Sequence, residues 1–205
     1  MTPYISALLL AAGTSSRMGI PKPLLQWRGN NLVNYQIESL VDGGADEVIL
    51  VLGHEHKTVS KTIAPNNHNR LKIAINSAYK TGKTTSIKSG LKLVAKETTD
   101  IIFLAIDQPR SPETISRVLN SHISKSPLIT SPKYNAHGGH PLIFSSSLKT
   151  ELENIDEQTE GIRKVLQLHD SEINSININD PSLRVDFNTP EEYQSAVLED
   201  HFFAN

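Results

Sequence analysis

The chain contains no cysteine. Disulfides, thiolate nucleophiles and cysteine-ligated metals are therefore excluded. No apolar run approaches the ~18 residues of a spanning helix, so a helical membrane protein is not expected. Charge of neither sign dominates: 20 Lys and Arg against 22 Asp and Glu leave a formal charge of −2. There is thus no basic field to call for nucleic acid or an anionic membrane. The opening residues Met1-Thr2-Pro3-Tyr4 lack a basic stretch, and the apolar run 7–12 is too short for a leader. A cytoplasmic location is the expectation. The pattern GxGxxG is also missing, so the glycine loop at residues 10–25 is of another kind.

What remains is an ordinary globular composition. Of the 205 residues 38% are hydrophobic and 20% charged, enough apolar surface for one full-sized core. Residues 1–205 read as a single domain. Runs at 5–10, 48–52, 71–75 and 101–106 are short and almost wholly apolar, as buried strands are. Helical spacing separates them, at about 31–42, 54–63 and 84–96, and again after Ser111, where Ser-Pro-Glu opens a helix. This alternation predicts an α/β fold: a Rossmann-like, doubly wound, mostly parallel sheet with helices on both faces. After about residue 124 the pattern changes. Strands are expected at 127–131, 141–144, 172–178 and 184–187, helices at 146–153, 159–169 and 190–199. The second half then carries a small edge or inserted β element.

The loop after the first strand, LLLAAGTSSRMGIPKPLL, is the most informative stretch. Gly13 follows the strand directly, where backbone amides can turn toward an anion. Thr14, Ser15 and Ser16 add hydroxyls, and Arg17 and Lys22 add two cations. Gly19, Pro21 and Pro23 shape the loop. Bare amides, hydroxyls and cations beyond a strand's carboxyl end suit a polyphosphate. A plain glycine-rich connection with exposed charges has the same composition. Asp107 ends the fourth apolar strand. On position alone it is equally a metal-binding carboxylate or a turn residue before Pro109.

The same loop resembles the LAAGxSxRMGxPK signature of the NTP-transferase-like (MobA-like) nucleotidyltransferases, in particular their molybdenum cofactor cytidylyltransferase branch. Further blocks follow in family order. Residues 76–91, NSAYKTGKTTSIKSGL, resemble the second nucleotide-contacting segment. Asp107-Gln108-Pro109 resembles the metal-binding turn, and Gly139-His140-Pro141 a GHP-apolar segment. Residues 185–193, VDFNTPEEY, resemble the closing element.

The resemblance implies a nucleotide-diphospho-sugar transferase type of fold. It also implies an enzyme that transfers NMP from an NTP to a phosphorylated acceptor and releases pyrophosphate, with Mg²⁺. Leu10, Ala11, Ala12, Gly13, Thr14, Ser15, Ser16 and Arg17 would contact the nucleotide, Arg17 and the amides holding its β- and γ-phosphates. Lys22 would sit at the α-phosphate. Arg17, Lys22 and Asp107 would be catalytic, with Asp107 and Asp186 on the metal. Asn76, Gly82 and Ser86 would lie near base and ribose. Gly139, His140 and Arg163 would face the acceptor. Ala12 and Ile20-Pro21-Lys22 resemble the cytidylyl rather than the guanylyl branch. CTP and molybdopterin are then the expected substrates, and a molybdoenzyme or its maturation chaperone a possible partner.

Two departures fall on the acceptor side. His137 stands where relatives carry an Arg, and Glu157 and Glu160 lie ahead of Arg163. They leave room for another phosphorylated acceptor, or for a non-catalytic carrier of the molybdenum cofactor. A third reading comes from SAYKTGKT, residues 77–84, one glycine short of a phosphate-binding GxxxxGKT. It would put Lys83 on phosphates and Thr84 on the cation. His137 and His140, with only glycines between them and no third ligand nearby, do not read as a metal pair, and His54-Glu55-His56 reads as a solvated helix start.

Overall fold

The computed structural model describes residues 2–64 and 69–203. In chain order the elements are β1 (Ile5–Ala11), β2 (Gln26–Trp27), β3 (Asn30–Asn31), α1 (Leu32–Asp42), β4 (Glu47–Leu52) and α2 (His56–Ser60). Then come β5 (Leu71–Ile75), α3 (Lys83–Leu91), β6 (Asp100–Ala105), α4 (Pro112–Lys125), β7 (Ile129–Tyr134) and β8 (His137–Gly138). The chain continues through β9 (Leu142–Ser145), α5 (Lys149–Glu153), α6 (Ile162–Leu168), β10 (Ile173–Asn177) and α7 (Pro190–Phe203).

The main sheet has the order β10-β7-β9-β6-β1-β4-β5, with β8 paired to β7. β1, β4, β5 and β6 run parallel. β9 alone on the main path is reversed, antiparallel to β6 and β7, and β10 is parallel to β7. The expected mostly parallel sheet is therefore present, and β7, β9 and β10 are its continuation.

Two apolar layers cover the faces. Leu9, Leu50 and Leu104 point to one side and meet Ile37 and Leu40 of α1 and Val118 of α4. Leu8, Ile49 and Phe103 point to the other and meet Ile87 and Leu91 of α3, Leu152 of α5 and Val165 of α6. Successive strand residues face opposite ways, so strands covered on both faces must be apolar throughout, as β1 and β4 nearly are. β1 has β4 on one edge and β6 on the other. The carboxyl ends of β1 and β6 thus flank the point where strand order reverses, where such sheets open a crevice.

Several expectations need correction. The helix expected over 54–63 is only α2, because Glu55 sits in the left-handed region with φ 53°. α3 stops at Leu91 rather than reaching residue 96. The strand expected at 184–187 does not form. A 3-10 turn covers Pro181–Arg184, and the extended residues after it join no ladder. The β2–β3 hairpin was not foreseen. Its turn is Arg28-Gly29, both at positive φ (48° and 79°), the geometry of a two-residue hairpin turn with Arg where Asn is usual.

Gly90 sets how closely α3 lies on the sheet. A Cβ there would stand 2.8 Å from Leu8 Cδ2 and 2.9 Å from Val51 Cγ2. Gly90→Ala adds about 1 kcal/mol of helix propensity, but overpacking costs roughly 1–3 kcal/mol. The thermal midpoint is expected to fall by a few degrees. An unchanged or higher midpoint in a melting scan would mean that α3 lifts off the sheet freely.

Candidate functional site

The loop after β1 is folded back on itself by one residue. Ser15 adopts φ 50°; its carbonyl accepts from Met18 N at 2.9 Å and its Oγ accepts from Lys22 N at 3.0 Å. The buried Met18 side chain anchors the turn in the core. Gly13, Thr14, Ser16 and Arg17 are left exposed. They line a cavity of about 390 Å³ together with Lys22, Lys83, Ser86, Asp107 and the rest of residues 10–16. Neither Arg17 nor Lys83 has a side-chain partner among the described residues.

Lys22 is nearly buried and is fixed at two points. Its Nζ donates to Asp107 Oδ2 at 2.7 Å and to Asn188 Oδ1 at 3.0 Å. Asn188 Nδ2 in turn donates to Asp186 Oδ1 at 3.1 Å, and Gln108 Nε2 to Asp186 Oδ2 at 3.1 Å. A continuous polar chain therefore links Lys22, Asp107, Asn188, Asp186 and Gln108. The two carboxylates present hard oxygen donors at one edge, and Gln108 Oε1 is a buried acceptor with no partner. Such a donor set fits a divalent cation.

Behind this chain stands Arg110, 2% exposed. Its guanidinium contacts backbone carbonyls: Pro109 and Val185 through Nη1 (2.7 and 3.1 Å), Leu183 through Nη2 (3.0 Å) and His140 through Nε (2.9 Å). Burial lowers its pKa to about 10, so it stays charged at neutral pH. Gln36 of α1 works on the same turn, donating to the carbonyls of Ala105 and Gln108 at 3.2 and 3.1 Å and accepting from Arg110 N. Phe187 N donates to Asp107 O at 3.2 Å, and the buried Phe187 ring stacks 5.8 Å from Trp27. In the extended run 186–188, Phe187 points inward and its neighbours outward. Sequence reasoning missed Arg110, Gln36 and Asn188. A buried Arg after Pro reads as a surface charge, and only the VDFNTP block hinted at Asn188.

On the α3 side, Asn76 is buried and donates to Thr85 Oγ1 at 2.9 Å and Ser86 Oγ at 3.0 Å. It acts on the cavity through Ser86. Gly82 does not line the cavity. It lies against Glu157, whose side chain leaves no space for a Cβ on Gly82. Glu157 Oε1 accepts from Thr84 N at 2.6 Å and so caps α3. This removes the amide that a phosphate-gripping GKT loop would need, and β5, the strand before it, lies at the sheet's edge. Lys83 nonetheless lines the cavity, as Arg17 does.

The remaining candidates do not line that cavity; Asp186 reaches it only through Asn188. Gly139 packs against the Leu183 carbonyl. His140 has a buried Nδ1 without a partner. Arg163 is exposed on α6, and His137 is exposed on β8 with its ring against Asn135 O.

The cavity at the carboxyl ends of β1 and β6 thus gathers backbone amides, hydroxyls, cations and a carboxylate. The chain matches the model of the MobA-like NTP transferase domain over residues 7–173, and it belongs to that family of nucleotidyltransferases. It is 30% identical to nicotine blue oxidoreductase of Paenarthrobacter nicotinovorans, over 93% of this chain and 95% of that protein. It is 26% identical to molybdenum cofactor cytidylyltransferase of Escherichia coli K12, over 94% and 95%. The crystal structure of Rv0371c from Mycobacterium tuberculosis superposes with TM-score 0.84 at 24% identity, over 97% of this chain and 100% of that one. A manganese complex of the same protein gives TM-score 0.74, also at 24% identity, over 95% and 98%. Among the described residues, no helix is long and apolar enough to cross a membrane.

His140 yields a pH prediction. Burial first, then the Arg110 charge, hold its pKa down to about 4. The unfolded chain takes up this proton near pH 6.5. Between those values the unfolded state binds more protons, so stability falls as pH drops through the window. In urea unfolding at about pH 7 and pH 4.5, His140→Gln is expected to lose less stability than the wild type. Equal losses would show that the ring is already charged in the folded protein.

Proposed function

We propose that the protein is a cytidylyltransferase. It moves CMP from CTP to the terminal phosphate of molybdenum-bound molybdopterin and releases pyrophosphate, in the cytoplasm, with Mg²⁺ as its cation. A molybdoenzyme or its maturation chaperone is the natural recipient of the product. The observation that carries the reading is the Lys22–Asp107 contact of 2.7 Å. It presents a cation and a hard carboxylate together where the glycine loop presents bare amides.

In this reading the amides of residues 12–16 and Arg17 hold the β- and γ-phosphates, and Lys22 balances charge at the α-phosphate. An acceptor phosphate oxygen attacks the α-phosphorus in line, the bond to the bridging oxygen breaks, and pyrophosphate leaves. Asn76 and Gly82 shape the base and ribose end, where Ser86 offers its hydroxyl. Gly139, His140 and Arg163 belong to the acceptor half. Asp107 and Asp186 hold the cation, which when bound screens the phosphate charge. No cluster of three His, Cys, Asp or Glu forms among the described residues. That suits a cation that completes its shell with water and phosphate oxygens.

A second reading rests on the oxidoreductase relative. The free cations Arg17 and Lys83 suit the pyrophosphate of a nicotinamide dinucleotide as well as a triphosphate.

Thermal shift separates the readings. A ligand at about a hundred times its Kd adds roughly 2.7 kcal/mol. A Mg²⁺-dependent rise is expected with CTP, smaller with GTP, ATP or UTP, and lost in Asp107→Ala. A rise only with NADH or NADPH would move the assignment to hydride transfer, and no rise with any nucleotide would sink both. In turnover assays, Lys22→Ala is expected to lower kcat roughly 10²–10³-fold, the scale of a lost transition-state donor. Lys83→Ala should raise the KM for CTP only several-fold. The reverse ranking would favour a phosphate-gripping GKT loop.

A further inference from the structure

The segment 183–188, which leaves a 3-10 turn and runs on extended, carries one of the two carboxylates, yet no strand pairs with it. Its backbone groups are satisfied in another way. Buried carbonyls need donors, and here one side chain supplies two of them: Arg110, at Leu183 O and Val185 O. The same guanidinium also binds Pro109 O, two residues after Asp107, and His140 O, ahead of β9. Three chain segments therefore meet on one planar group whose donors have a fixed mutual geometry. No carboxylate pairs with it directly among the described residues.

We propose that Arg110 is a positioning residue. By bridging the turn that carries Asp107 to the segment that carries Asp186, it fixes the spacing of the two carboxylates for a divalent cation. This rests on the reading of Asp107 and Asp186 as that cation's ligands. Arg110 does not touch the cation; it acts through the backbone. Lysine cannot replace it, because one ammonium at the end of a flexible stem cannot span carbonyls on three segments. The full burial of the charge follows from this role. A residue serving only to fill space would be apolar, since an ion in the interior is costly to desolvate.

The test is a titration of the purified full chain with Mn²⁺, read by the electron-spin signal of the free ion. Amide exchange of residues 183–187 is followed in parallel. Arg110→Lys is expected to weaken Mn²⁺ binding by about tenfold or more, as loss of a supporting partner of a metal ligand does. Exchange at 183–187 should rise. In an Asp186→Asn background the same substitution should change Mn²⁺ affinity less than about twofold, since the two act as one unit. Mn²⁺ affinity unchanged in Arg110→Lys, or effects that simply add, overturns the role of Arg110 and leaves the carboxylates assigned. Wild-type protein that binds no Mn²⁺, or binds it equally in Asp107→Ala, overturns the metal reading and this inference with it. Should Arg110→Lys fail to fold, Phe187→Leu loosens the same segment from its Trp27 side. It is expected to weaken Mn²⁺ in the same titration, and unchanged affinity there counts against the proposal.

Discussion

β1 is hydrogen-bonded on both edges, to β4 and β6, and covered on both faces by apolar layers. Everything about it is fixed except its carboxyl end. Ile106 N still donates to Leu10 O at 3.0 Å, so β1 and β6 stop side by side. The loop that follows and Asp107 then emerge together. The site is a consequence of that constraint: a rigid floor, an amide-rich loop on one side and a carboxylate on the other. Preorganised donors of this kind need no rearrangement to meet charge.

Burial of polar groups divides the sheet into two ends. At the amino ends of the strands, Glu47 is 3% exposed and fully engaged by Ser6, Ala95 N and Lys72. His122 is likewise held between Asp100 and Thr130. At the carboxyl end sit Gln108 Oε1 and His140 Nδ1, buried and unpartnered among the described residues. Native proteins leave few such atoms. Their confinement to the edge that carries the cavity separates a structural end from a functional one.

Much of this was legible in the sequence, for a physical reason. Strands covered on both faces must be apolar throughout, so β1, β4 and β6 announced themselves, and with them the sheet. The loop was legible because amides, hydroxyls and cations are short-range features of composition. What escaped depends on distant contacts. The run 184–187 alternates like a strand because Phe187 does point inward, but its carbonyls are satisfied by Arg110, seventy-odd residues away in sequence. Gly82 was expected near base and ribose; the space beside it is filled by Glu157. Neither partner could be named from local pattern.

The reversal of β9 matters most for the second half of the site. In a wholly parallel sheet, residues just before a strand lie at the amino edge, away from the crevice. β9 runs against β6, with Phe103 opposite Leu142 and Asp100 opposite Ser145. Its beginning therefore lies at the carboxyl edge, and Gly139 and His140 arrive beside the segment of Leu183 and Arg110. This side of the edge is thus built from one reversed strand and one unpaired segment, both anchored on a guanidinium. The side that carries the cavity is built from parallel strands and backbone amides. Parallel strands tolerate little change, since each is packed on both faces. Segments held by side chains, as Leu183 and Val185 are by Arg110, can be re-aimed by single substitutions. The physical expectation is that the end built from parallel strands resists change and the end held by side chains accepts it.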